Sequence, residues 1–115
     1  MPFEPFAPEP DVQATIDPRR LVHALRHPET WPPDFEWDYG RCPSCAMGLA
    51  WRLTGQIGKC TPDKGMALMR RSMPMPNSSV VAVFLLLHPL GQVVNPEDVA
   101  AAIEAVIGLD YDAVY

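Results

Sequence analysis

The sequence predicts an α+β domain, with four short helices laid against a small sheet of residues 34–39 and 80–87 and a short third strand at 92–94. Three observations carry that expectation. Asp34 to Tyr39 alternates strictly: Phe35, Trp37 and Tyr39 fall on one face, Asp34, Glu36 and Asp38 on the other, and period two is the signature of a half-buried strand. Val80 to Leu87 is an unbroken apolar run rich in β-branched residues, as in a central strand covered on both faces. Four other segments open on helix-start signals. An all-α domain is the alternative, because periodicity cannot separate strand from buried helix over so short a run.

Residues 1–10 alternate proline with Phe, Ala and Glu and read as an extended N-terminal arm; residues 11–115 read as one globular domain. Asp17-Pro18 starts the first helix, Asp as cap and Pro in the first turn. That helix runs to about His27, with Leu21, Val22 and Leu25 as its apolar stripe, and Trp31-Pro-Pro33 breaks the chain. After the alternating segment and Gly40, a second helix spans about Pro43 to Thr54 and stops at Gly55. Ala46, Leu49, Ala50 and Leu53 form its buried face, and Gly48 within it allows another group to come close. A third helix starts at Thr61-Pro62 and carries Met66, Leu68 and Met69 before Met73-Pro-Met-Pro76 ends it. The last helix has the clearest bounds. Asn95 caps it, Pro96 takes the first turn, Asp98 reaches back, and Gly108 terminates a stripe of Val99, Ile103, Val106 and Ile107.

The 115 residues suffice for one modest core. Charge is unevenly placed: residues 1–40 hold three arginines against eight acids, residues 41–75 six basic residues against Asp63, and residues 76–115 five acids with no Lys or Arg. The basic centre either packs against its acidic flanks or forms a basic surface around the cysteines. A chain of net charge −5 without a basic stripe is not expected to bind nucleic acid directly. There is no run of 18 apolar residues and no secretory signal, so the expected setting is cytoplasmic, without a membrane partner and with reduced cysteines.

The cysteines admit several chemistries. Cys42-Pro-Ser-Cys45 resembles the C-P-x-C of glutaredoxins, which implies a reactive Cys42 thiolate at a helix start. The chain departs from that family in its acidic segment before the motif and in lacking the later proline-preceded strand. Cys42, Cys45, Cys60 and His88 have the ligand types for zinc, but the second close pair of a structural site is missing. Cys45-Ala-Met-Gly48-Leu49 resembles the cysteine-bearing helix of cell-wall amidases related to papain, which implies a Cys45 nucleophile, His88 as base and Asn95 or Gln92 as orienting group. Against these stands Cys45 as a small apolar core residue. His23 and His27, one helical turn apart, lack a third ligand nearby and are expected to face solvent.

His-Pro-Glu-Thr-Trp31, Cys45-Ala-Met-Gly-Leu-Ala50 and Asn95-Pro-Glu-Asp-Val99 resemble a group of small uncharacterised bacterial and phage proteins with a central C-A-x-G-[AL] helix. The resemblance implies a packing role for Cys45 and Gly48 and carries no activity. The expected function is therefore a non-catalytic interaction or regulatory protein with no cofactor and an unidentified protein partner. Its partner surface would comprise Asp34, Phe35, Glu36, Trp37, Asp38 and Trp51, the last exposed opposite the second helix's stripe. Edges of so small a sheet need covering, which makes a homodimer plausible. The catalytic alternative is a hydrolase using Cys45, His88 and Asn95.

Overall fold

A computed structural model describes residues 12–39, 41, 44–86 and 94–108. Among these the chain forms α1 (Pro18–Arg26), a 3-10 turn (Pro28–Thr30), α2 (Ala46–Leu53), α3 (Pro62–Ser72), α4 (Asn77–Phe84) and α5 (Pro96–Ile107), and no strand. The expected α+β fold is thus overturned in favour of the all-α alternative. The Pro-rich arm, Gly40, Cys42, Pro43, His88, Gln92 and Val93 lie outside the described residues. No helix among the described residues is long and apolar enough to cross a membrane.

Helix boundaries follow local chemistry. The Asp17 carboxylate accepts from the Arg19 N–H at 2.9 Å and starts α1. The Thr61 hydroxyl accepts from the Lys64 N–H at 3.3 Å and starts α3. Asp98 accepts from the Asn95 N–H at 3.0 Å at the head of α5, and Gly108 closes that helix in the left-handed region at φ 79°. Helix α2 begins at Ala46, later than expected, with Cys45 as its extended N-cap. At its other end the Gly55 N–H reaches Arg52 O and the Gln56 N–H reaches Trp51 O, with Gly55 at φ 75°, the paired bonds of a Schellman stop.

The run read as a central strand is α4. Pro76-Asn77-Ser78-Ser79 is a helix start placed just before it, and burial falls on Val80, Val83 and Phe84 while Ala82 is exposed. Tertiary packing against α3 and α5 overrides the β preference of the valines. Leu85 and Leu86, which follow the helix, are exposed.

The acidic/aromatic segment was expected as a strand and is an irregular coil between two turns, with no ladder. Its burial still alternates: Asp34, Glu36 and Asp38 are exposed, Phe35 and Trp37 half-buried, Tyr39 buried. Side chains hold it to the helices. The Trp37 indole N–H donates to Val94 O at 2.8 Å and the Tyr39 hydroxyl to Val83 O at 2.7 Å. Trp31, whose indole donates to Ala24 O, meets Phe35 edge-on and stacks at 6.1 Å from Trp37.

Buried residues from all five helices form one apolar cluster, with Leu21, Leu49, Leu68, Val80, Val99 and Ile103 wholly inaccessible. The most extensive helix pairing is α1 on α5. Arg26 crosses it, holding both oxygens of Glu104 at 2.7 and 2.8 Å and Glu97 at 2.7 Å. Helices α2 and α3 approach closely at Gly65, where a Cβ would lie 2.9 Å from Met47 Cβ and 3.1 Å from Cys60 Sγ.

Candidate functional site

Two stretches distant in sequence meet at a cleft of about 140 Å³ on the outer side of α2. The acidic/aromatic segment contributes Asp34, Phe35 and Glu36; α2 contributes Gly48, Trp51 and Arg52; Ser44, Gly58 and Cys60 complete the lining. Gly48 and Gly58 are the two glycines of that lining. Cavities of about 150 Å³ hold a benzene-sized guest, so this one takes a single side chain.

The walls are held from several directions. The Trp51 indole donates to Gly58 O at 3.1 Å, tying the wall to the turn after α2. The Lys64 ammonium sits 5.7 Å from the centre of the Trp51 ring, a cation–π contact. Arg52 Nη2 donates to Asp34 at 2.7 Å, and this guanidinium holds the Asp34 carboxyl below the usual carboxylate range. That contact joins the basic centre of the chain to its acidic flank. Glu36 is exposed at the rim and makes no ion pair with another described residue. The cleft thus combines two aromatic side chains, of which Trp51 is almost wholly buried, with a rim of mixed charge. No histidine lines the cleft among the described residues.

Of the residues expected to bind a partner, Asp34, Phe35, Glu36 and Trp51 are brought together here. Trp37 is turned inward and committed to Val94, and Asp38 is exposed while its N–H donates to Ser44 O at 2.7 Å. Trp51, expected at the surface, is 4% exposed, because residues 46–51 of α2 are buried on every side. Ser44, Gly58 and Cys60 were not foreseen as lining. The glycines at 55 and 58 were the available signal, since both adopt positive φ in the turn that bounds the cleft.

Cys45, at the head of α2, is 2% exposed, as is Cys60. Their proposed partners Cys42 and His88 lie outside the described residues, while Asn95 serves as the N-cap of α5. Among the described residues no group of three or more His, Cys, Asp or Glu is placed to hold a metal. His23 and His27 are half-buried and stack at 4.2 Å, with His27 Nδ1 2.9 Å from Glu29. Compared with protein-family models, with curated proteins and with solved structures, the chain matches none, so the cleft and its residues carry the functional conclusion alone.

Proposed function

We propose that the protein is a non-catalytic interaction protein with a regulatory task, and that its partner surface is the cleft between residues 34–36 and α2. The observation in support is the convergence of Asp34, Phe35, Glu36 and Trp51 on one concavity. The partner presents an aliphatic or lysine-like side chain, its stem against Phe35 and Trp51 and its tip toward Glu36. Burial of Cys45 counts against the alternative in which it is a nucleophile, since a nucleophile must reach its substrate.

Two measurements test this. Iodoacetamide labelling of the native protein, mapped by peptide mass, should leave Cys45 unmodified until denaturant is added. Fast, pH-insensitive alkylation of Cys45 near neutral pH overturns the non-catalytic reading. A peptide array carrying aliphatic–lysine pairs, followed by NMR titration of the hits, should shift the Trp51 indole and Gly58 amide resonances. Hits that leave both unmoved overturn the assignment of the surface.

A further inference from the structure

On the reading that this cleft is a recognition surface, we infer that its occupant is the Ile57 loop of a second copy of the chain. Ile57 is 92% exposed, the most exposed of the large apolar residues described. Single exposed apolar residues are ordinary on protein surfaces, so exposure alone decides nothing. Ile57, however, is held out on a firm support. Gly55 and Gly58 flank it at φ 75° and 83°. The Gln56 N–H is bonded to Trp51 O, and Gly58 O accepts from the Trp51 indole. The same tryptophan therefore builds the wall of the cleft and fixes the loop that presents the isoleucine.

Knob and hole are adjacent in the chain: Gly58, the residue after Ile57, lines the cleft. That adjacency is what a two-fold interface requires: each copy offers the same patch, and the isoleucine of each enters the cleft of the other. The volume agrees, because a branched butyl group is smaller than the benzene-sized guest such a cavity holds. The charges agree as well. Lys59 follows the knob and Glu36 stands at the rim of the hole; both are exposed, and neither has an ion-pair partner among the described residues. In the two-fold arrangement Lys59 of each copy faces Glu36 of the other. A homodimer was expected from uncovered sheet edges; no sheet is present among the described residues, and this interface has a different origin.

Sedimentation across a concentration series tests the inference on the intact chain. The wild type should form a dimer. Ile57→Asp should raise its dissociation constant at least tenfold, and should leave the melting temperature unchanged at dilutions where both proteins are monomeric, since the side chain touches little of its own fold. Glu36→Lys and Lys59→Glu should each weaken the dimer, and the double exchange should restore it. A wild type that stays monomeric at millimolar concentration overturns the inference, as does a dimer indifferent to Ile57→Asp or a double exchange that fails to restore. The two readings fail separately. A monomer whose Trp51 indole still shifts with array peptides loses the second copy as occupant but keeps the cleft as a recognition surface; a monomer whose indole never shifts loses both.

Discussion

Helix α5 and the segment 34–39 both separate apolar from polar faces, yet they are secured by different means. In α5 the backbone satisfies itself, so Val99, Ala100 and Ile103 need only pack. The segment 34–39 is an irregular coil and has no ladder. Its anchoring side chains must therefore be apolar in body and carry a polar tip. Trp37 and Tyr39 meet both needs, each packing a ring inward and donating to a backbone carbonyl, Val94 just before α5 and Val83 in the last turn of α4. Leucine at either position would pack without tethering. Alternation of period two thus encodes which face turns inward, and leaves open whether a neighbouring strand or a set of side-chain donors holds the chain there.

This contrast can be broken in order of expected effect. Ile103→Ala, in the wholly buried seam of α5, should cost about 3 kcal/mol in chemical denaturation, with the helices unfolding together. Trp37→Ala should cost about 2 kcal/mol, because the ring is half-buried. Trp37→Phe separates packing from tether: it keeps an aromatic ring but leaves the Val94 carbonyl without its donor, at a cost of about 1 kcal/mol. A phenylalanine variant as stable as the wild type would mean that packing alone holds the segment.

Arg26→Lys sharpens the comparison from the α1–α5 side. One ammonium cannot reproduce the fork on Glu104 together with the third bond to Glu97, and the loss should be about 1 kcal/mol. The exposed Arg52–Asp34 pair at the cleft should show almost no such loss on Arg52→Lys. An effect smaller than that at Arg26 lies at Asp17, whose carboxyl is held below its ordinary 3.8 by the side-chain and backbone hydrogen bonds from Arg19. A lowered folded-state value adds stability that is full above pH 3.8 and is lost as pH falls through the folded value. Asp17→Asn keeps a capping acceptor without that charge. The two proteins should therefore converge in stability below about pH 3.8, by about 0.5 kcal/mol at most for so exposed a group. Thermal melts from pH 2 to 6 measure it.

Legibility in the sequence tracked how local the controlling physics is. Asp17, Thr61, Asn95 and Gly108 act within one helical turn, and each boundary lies where its residue type places it. The run 80–87 was misread because its valines and phenylalanine suit a strand or a buried helix equally. The Asn-Ser-Ser start that decides between them lies outside the run. Trp51 is expected outside because α2 reads as having one apolar stripe, whereas residues 46–51 of that helix are all buried. The cleft was half legible. Its acidic and aromatic residues stood out, but their meeting with Trp51 depends on the fold of the intervening chain, which no local pattern states.

The missing side chain at Gly65 has a consequence for the opposite side of α2. A methyl group there would collide with Met47 Cβ and Cys60 Sγ, so α3 would have to retreat or α2 would have to tilt outward. Cys60 also borders the cleft, so a tilt would be felt at its mouth. The aperture of the cleft therefore depends on a single hydrogen atom at Gly65, outside its lining, and a substitution there would retune it.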